Sequence, residues 1–513
     1  MHLVSISEKI SVVGLTSQLL KQRLLSVSAA ISLCFVSSCS NVSKNTSSVF
    51  TNAYLAGNYN YVLAGTSYNV AGSQPYQEAG TFVADGNGNI TGGVDDFVQS
   101  SALTTSKITG TYKVSSDGCA SITLKLSRGT VQLAITLLSS SSFYVIEFDS
   151  LASGSGEALL QNTTAFSGTP QGTFVFRLHS SVAGSAAVSS VSNVGQMTVQ
   201  GGGITGTEDF VRDGVPGSTG ISGVMNPPDA NGRGTVDLND TAGHQSNYIY
   251  YVIDSNTMKF LETDPGPLGS GRADAQSGGP FSNTSMKGGF CFRGRGDTLA
   301  SSFGYNSVGA FVGDGNGNIT SGSYDAVQDG TATTNAPLTG NYSLAANGRA
   351  SIVVTPKGMS PISLIVWMVN PSSGLLLVNG PNLSVVGRID LQQDTPFSAS
   401  SLKGRFAFYM FGTETPGSPL VNRVGDMTFD GNVTVTFNDY YINRGGTTAQ
   451  NGPVGGNYAV SSNGRVLAFS VGAVNYQVMY LISNQSGSLM LIATGSELAG
   501  SFSQQGTSAG PVD

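Results

Sequence analysis

The sequence predicts an all-β protein built from four tandem repeats of about 116 residues, each an eight-stranded antiparallel meander closed into a small up-and-down barrel. Short segments recur at a fixed spacing, and apolar residues alternate over short runs. Gly, Asn, Asp and Ser interrupt these runs every ~10–15 residues. Beyond the first 40 residues, no stretch of the sequence has a helical period.

Three landmarks fix the repeat. The first is a G-x-F/Y segment at Gly57, Gly172, Gly288 and Gly404, with spacings of 115, 116 and 116 residues. The second is a related segment at Gly110, Gly223, Gly340 and Gly456. The third is Asn-Gly-Arg at 231–233, 347–349 and 463–465, where the first copy has Asp-Gly-Cys at 117–119. The copies are therefore expected at 53–163, 164–279, 280–395 and 396–506.

The first copy contains eight candidate strands, each joined to the next by a short turn. They are Asn58–Gly65, Gly80–Asp85, Asn89–Gln99, Lys107–Ser115, Cys119–Leu126, Thr130–Leu138, Phe143–Asp149 and Gly156–Gln161. Closing these strands into a barrel removes the exposed edges of an open sheet. A β-sandwich, or two four-stranded propeller blades per repeat, fits the count less well and stays open as an alternative.

A Gly-rich loop, DGNGN, occurs at 85–89 and again at 314–318. Its alternating Asp and Asn resemble the start of a calcium loop, but the Glu that closes such a site is missing at the required distance. The second copy has only glycines there, and the fourth shortens the loop to Asp-Gly-Asn at 430–432. Since Gly and Asn tolerate the positive φ of a tight turn, a hairpin explains the loop, and we expect neither a metal nor a cofactor.

The first 38 residues form a predicted export signal, with a basic region followed by the apolar run Leu24–Val36. The segment VSSC, 36–39, resembles the lipobox of bacterial lipoproteins, which implies that Cys39 is lipidated. A plain secretory signal with an incidental cysteine is the alternative. The polar residues 39–52 then form a tether.

Without residues 1–38 the chain has 21 basic and 30 acidic residues, which argues against nucleic-acid binding. Cys119 and Cys291 could form a bridge, but unpaired buried thiols fit better. Only His179 and His244 remain, both in the second copy, so no triad or His-based metal cluster can recur. We expect no enzymatic activity.

Paired carboxylates such as Asp95 with Asp96, or Glu208 with Asp209, could serve acid–base chemistry. Adjacent residues of a strand point to opposite faces, however, so the two members of each pair cannot share a site. The single tryptophan, Trp367, lies in an apolar run and is expected in the core.

One acidic position survives in every copy, in the strand after the variable hairpin: Asp96, Asp209, Asp325 and Asp439. The side chain is expected to accept hydrogen bonds from a neighbouring turn or from the arginines of the Asn-Gly-Arg motif. The first copy lacks that arginine, so backbone amides should serve there. A ligand-facing carboxylate in each barrel is the alternative.

The lipobox-like start and the G-x-F/Y, DGNGNIT, LTG-x-Y and NGR segments resemble a group of uncharacterised bacterial lipoproteins with tandem β-repeats. The order of these segments is also loosely similar to that of avidin-type barrels, whose ligand-stacking tryptophans are missing here. The resemblance implies a non-enzymatic lipoprotein of the cell envelope, anchored to the membrane by lipid and favouring the outer membrane. We expect a structural, adhesive or binding scaffold with an envelope glycan or protein partner. A carrier of small apolar ligands and a polysaccharide-active hydrolase are the alternatives.

Overall fold

The computed structural model describes residues 50–69, 72–182, 189–265, 268–299, 304–414, 419–470, 476–493 and 496–506. All these described residues belong to one compact unit. The predicted signal, the lipidation residue Cys39 and most of the predicted tether lie outside the described residues. Among the described residues, no helix has the length and apolar character needed to cross a bilayer.

The first barrel consists of β1 (Ala56–Asn69), β2 (Gly72–Asp85), β3 (Asn89–Gln99), β4 (Ala102–Lys107), β5 (Thr109–Val114), β6 (Cys119–Leu126), β7 (Gly129–Ser139), β8 (Ser142–Glu147) and β9 (Ala152–Leu160). The second consists of β10 (Gly172–Val182), β11 (Ser189–Gln200), β12 (Gly203–Arg212), β13 (Val215–Met225), β14 (Arg233–Asp240), β15 (Gln245–Val252), β16 (Thr257–Glu262) and β17 (Leu268–Ala275).

The third barrel consists of β18 (Lys287–Thr298), β19 (Gly304–Asp314), β20 (Asn318–Gln328), β21 (Thr331–Leu344), β22 (Arg349–Pro356), β23 (Ile362–Asn370), β24 (Ser373–Val378) and β25 (Leu383–Leu391). The fourth consists of β26 (Lys403–Thr413), β27 (Leu420–Asp430), β28 (Thr434–Arg444), β29 (Thr447–Asn451), β30 (Val454–Val460), β31 (Arg465–Ser470), β32 (Tyr476–Ser483), β33 (Ser486–Ile492) and β34 (Ala499–Gln504). A short 3-10 turn precedes each barrel: Asn52–Tyr54, Thr163–Ser167, Asn283–Met286 and Ala399–Ser401.

Every barrel is an antiparallel meander whose last strand pairs with its first, which confirms the predicted fold of four eight-stranded barrels. In the first barrel, β4 and β5 are halves of one strand, and β29 and β30 have the same relation in the fourth. The break lies at Ile108, whose amide donates to the carbonyl of Gly93 (3.0 Å). Gly93 has φ of 146°, a conformation that favours glycine.

The predicted strands match the first barrel, except that β4 was not predicted, β9 begins at Ala152 and not at Gly156, and the first hairpin is longer. β1 and β2 continue to Asn69 and start at Gly72, so the first hairpin is longer than its apolar pattern. The predicted tether also ends earlier than residue 52, because Phe50 is buried in the core of the first barrel. Phe166, Phe281 and Phe397 precede the other three barrels at corresponding positions.

Each barrel has its own interior core of aromatic and aliphatic side chains, so the chain has four separate cores. Four further apolar clusters lie between barrels, joining the first to the second, the second to the third, the third to the fourth, and the fourth to the first. Strands such as β23, with Trp367 outside and Met368 inside, are therefore buried on both faces, which explains their unbroken apolar runs. The barrels form a closed ring of four.

Candidate functional site

In the first three copies the predicted acidic position lies between barrels and not inside them. The prediction of a fourth member is wrong in register, because Val424 pairs with Tyr441 and not with Asp439, whereas the equivalent Val308 pairs with Asp325. Asp96, Asp209 and Asp325 are buried, and each binds the Asn-Gly-Arg arginine of the following copy. The contacts use two guanidinium nitrogens each, as for Arg465 with Asp325, where Nε and Nη2 donate over 2.8 and 2.6 Å. Such fork-to-carboxylate pairs are the strong and directional class of ion pair.

An aromatic donor completes each of these pairs. Tyr251 donates its hydroxyl to Asp96 (2.6 Å), Trp367 its indole N–H to Asp209 (2.9 Å) and Tyr480 its hydroxyl to Asp325 (2.6 Å). We call the three sets junction nodes: Asp96–Arg233–Tyr251, Asp209–Arg349–Trp367 and Asp325–Arg465–Tyr480. The one tryptophan is thus buried, as its sequence context predicts, and also binds a junction carboxylate.

The fourth junction differs because the first copy has Cys119 where the others have arginine. Asp439 lies in β28, and its side chain is outside the described part of the chain. Arg405 instead binds Asp426 (2.6 Å) from within the fourth barrel, and Asn443 donates to the carbonyls of three residues of the first barrel. The expectation that backbone amides replace arginine at Asp96 is wrong, because Arg233 of the second copy binds that carboxylate.

Asp117, Cys119 and Asp426 place their potential ligand atoms within 4.8 Å of one another. Arg405 lies 2.6 Å from Asp426 and 3.8 Å from Asp117, so a guanidinium occupies the place of a cation. Burial, and then the charge of Asp426, raise the pKa of the Cys119 thiol well above its usual value, which disfavours the thiolate that binds metals. Cys119 and Cys291 are both unpaired and buried.

A glutamine that the sequence analysis missed joins each copy to the next. Its side-chain amide donates to a carbonyl of the following barrel: Gln161 to Val252 (2.7 Å), Gln276 to Met368 (2.7 Å), Gln392 to Leu481 (2.8 Å) and Gln505 to Leu137 (2.9 Å). The last of these joins the fourth barrel to the first. Its recurrence every 113–116 residues was the available signal.

The DGNGN loop forms the hairpin between the second and third strands of its copy. Asp85 accepts hydrogen bonds from the amides of Asn87 (2.7 Å) and Asn89 (2.9 Å) and from the Asn89 side chain (2.7 Å). These donors, the Asn89 side chain first, lower the pKa of Asp85. Asp314 is held in the same way. The turn thus uses the carboxylate internally, as the hairpin interpretation requires.

The carboxylate pairs noted in the sequence do separate to opposite faces. Asp95 lies inside the first barrel with Glu78 and Glu147, all three buried, whereas Asp96 lies in a junction node. Inside the barrel, Tyr61 donates to Asp95 (2.7 Å) and Tyr76 to Glu147. Burial raises the pKa of Glu147 to about 7.

Arg128 covers this internal acidic cluster from the mouth of the first barrel. Its Nη2 lies 2.7 Å from Glu78 and its Nε 3.4 Å from Asp95. The guanidinium carbon sits 4.2 Å from the centre of the Phe97 ring, in cation–π contact. The first barrel therefore contains its own cation for its buried acids.

A cavity of about 480 Å³ lies on the axis of the ring, and all four copies line it. Ser142, Thr257 and Ser373 occupy the same strand position in copies one to three, and all three line the cavity. Charged pairs also line its wall: Arg388 binds Asp390 (2.7 Å), and Arg272, the equivalent arginine, binds Asp274 (2.8 Å) beside it. The apolar part of the lining comes from Leu159, Leu160, Ile253, Leu391 and Ile482.

This cavity belongs to the ring and not to a single barrel, which makes it the candidate functional site. Its lining offers hydroxyl, amide, carboxylate and guanidinium groups, and one of its two acids, Asp390, is neutralised by an arginine of the lining. Such a lining suits a neutral polar molecule rich in hydroxyl groups.

The fold and this site define a ring of four barrels around a polar axial cavity. No family model and no curated protein matches the chain. Among solved structures it is similar to intact Ap-TbpB with its N and C lobes, at 7% identity and a TM-score of 0.20, covering 90% of this chain and 97% of that one. Transferrin-binding protein B of Haemophilus parasuis matches at 9% identity and a TM-score of 0.17, covering 72% and 84%. Scores this low support no inference about the function of this chain.

Proposed function

We propose that the chain is a non-enzymatic binding scaffold of the cell envelope and that its ring holds a hydroxyl-rich ligand, such as an envelope glycan, in the axial cavity. The observation that carries the proposal is the cavity itself, which exists only because four barrels close into a ring. Junction nodes and glutamine contacts hold the barrels in fixed register, so the site is preorganised for binding.

The competing functions fit the geometry less well. A carrier of apolar molecules needs an apolar space in each barrel. The four interiors instead contain their own aromatic and aliphatic cores, and the cavity at the mouth of the second barrel is lined by carboxylates as well as apolar groups. A hydrolase built on the adjacent acids of β3 is disfavoured because Asp95 and Asp96 serve different environments.

Binding of the full chain to a panel of neutral and acidic envelope oligosaccharides, measured by isothermal titration calorimetry, tests the proposal. Ser372→Trp places a large side chain at the exposed rim of the cavity and should weaken binding at least ~10-fold. Ser321→Trp, on an exposed strand position of the same barrel, is the matched control and should bind as the wild type does. Equal affinity of the two variants would refute the axial site.

Export and lipidation at Cys39 are part of the same proposal, supported by the lipobox-like segment. Intact-mass analysis of the protein from bacterial membranes should show a diacyl or triacyl addition on a chain that begins at Cys39. Cys39→Ser should release the protein from the membrane fraction. An unmodified chain starting elsewhere would refute the anchor.

A further inference from the structure

The second barrel repeats the buried acidic pair of the first. Glu208 faces Gly195 across β11 and β12, as Asp95 faces Gly80 in the first barrel. Glu262 occupies the end of β16, where Glu147 ends β8. Both glutamates are buried. The third and fourth barrels have no acid at the Glu262 position, where they carry Val378 and Leu491.

The groups that bind these acids in the first barrel are absent from the second. Phe176 stands in the place of Tyr61, so the hydroxyl is lost there. Val191 stands in the place of Tyr76, so the whole aromatic ring is lost. The loop that carries Arg128 in the first barrel has no arginine in the second.

A cavity of about 250 Å³ opens where those groups are lost. Leu178, Ile221, Leu238 and Tyr248 form its apolar walls, and the two glutamates line its interior. The first barrel fills the corresponding space with Tyr76, whose hydroxyl reaches Glu147. The cavity therefore occupies the space that a phenol ring and a guanidinium fill in the first barrel.

The two glutamates retain acceptor capacity toward this cavity. Glu208 accepts from the Asn193 side chain (2.8 Å), and Glu262 accepts from the Ser180 hydroxyl. A carboxylate offers about four acceptor positions. In the first barrel, by contrast, the equivalent cluster binds a guanidinium as well as phenols.

The rim of the cavity is also acidic. Arg212 lies over the Phe210 ring (4.7 Å), much as Arg128 lies over Phe97, but its guanidinium is directed to Asp240 (3.5 Å) and His244 (3.1 Å). With Asp264, four carboxylates and one guanidinium line the cavity. The excess negative charge favours a cationic ligand.

We propose that the mouth of the second barrel binds a small molecule carrying a guanidinium group. Glu208 and Glu262 receive its N–H groups in the place that Arg128 and the two tyrosine hydroxyls fill in the first barrel. Its aliphatic stem lies along Leu178 and Leu238. The planar fork of a guanidinium matches carboxylate acceptors better than an ammonium does.

Titration of the full chain with agmatine at pH 8, followed by isothermal titration calorimetry, tests this proposal. One saturable site is expected, with butylamine binding at least ~10-fold more weakly. Val191→Tyr should abolish the site by restoring the phenol. The first and third copies carry tyrosine at this position, Tyr76 and Tyr305, each paired with a glycine where the second copy has Ser180. The melting temperature of Val191→Tyr therefore has to show that the variant is folded.

Glu262→Gln provides the second test, with Glu147→Gln in the first barrel as its matched control. Agmatine binding should weaken at least ~10-fold in the first variant and stay unchanged in the second. The proposal is overturned by the absence of saturable binding, by agmatine binding that survives Val191→Tyr, or by equal effects of the two glutamine variants. None of these outcomes bears on the axial cavity, which lies outside this barrel.

Discussion

Substituting Asp325 by asparagine measures how strongly a junction node holds two barrels together. The carboxylate is fully buried and accepts four hydrogen bonds: two from Arg465, one from Tyr480 and one from the amide of Asn335 (2.9 Å). Asparagine offers a single acceptor oxygen and no charge. It leaves the Arg465 guanidinium, whose side chain is 7% exposed, without its counter-ion.

Burial lowers the pKa of Arg465, but the hydrogen bonds and charge of Asp325 outweigh it and raise that pKa in the wild type. Because a guanidinium is not deprotonated in proteins, the arginine stays charged in the variant. Removing one partner of a buried ion pair costs about 3–5 kcal/mol. The loss should fall on the third and fourth barrels together, because the node joins them. Hydrogen exchange should therefore report lower opening free energies in both β20 and β32.

Asp314→Asn, in the exposed hairpin of the same copy, is the control and should change exchange far less. Adding Arg465→Met to Asp325→Asn should recover part of the loss, since the uncompensated charge is then removed. Equal effects of the two asparagine variants, or an absence of coupling between Asp325 and Arg465, would refute this account of the node.

Two further predictions concern the closing junction and pH. Gln505→Ala removes the donor to Leu137 and should lower the opening free energy at the junction of the fourth and first barrels by about 1 kcal/mol. Gln276→Ala should lower the opening free energy equally at the junction of the second and third barrels. If hydrogen exchange changes in Gln276→Ala but not in Gln505→Ala, the ring is not closed. Because burial raises the pKa of Glu147 from 4.5 to about 7, the folded chain binds more protons than the unfolded chain between these values, and stability falls as pH rises through this window by at most about 3 kcal/mol. Glu147→Gln should reduce the fall in melting temperature between pH 5 and pH 8, and an unchanged profile would count against the buried acid.

The barrels could be predicted from the sequence because each hairpin is specified by residues close to one another along the chain. Alternating residues and short turns specify each hairpin, and four copies supply an internal comparison that separates turn chemistry from metal chemistry in the DGNGN loop. The extension of β1 and β2 beyond the apolar run was not predicted, since their ends are polar and do not continue the apolar alternation.

The ring escaped prediction because its contacts join distant copies. Asp209 and Arg349 are 140 residues apart, and nothing in their spacing shows that the acid meets the arginine of the following copy and not that of its own. A usable signal was the unbroken apolar run around Trp367. A barrel strand with solvent on one side would alternate, so a run that is apolar on both faces indicates a neighbour.

The axial cavity and the second-barrel cavity could not be predicted from the sequence for a related reason. Each is defined by what is missing as much as by what is present, as with Val191 in the place of a tyrosine. Comparing the copies with one another position by position, once the strand register is known, makes such losses visible.

Closure of the ring also constrains how the gene can change. An open array of repeats gains or loses a unit at its end without disturbing the others. Here the fourth copy contacts the first through the same glutamine hydrogen bond that joins the inner copies, so the angle at each junction is set for a circle of four. Duplication or loss of one copy would break every junction angle at once, and the number of copies is therefore fixed by geometry rather than by the history of duplication.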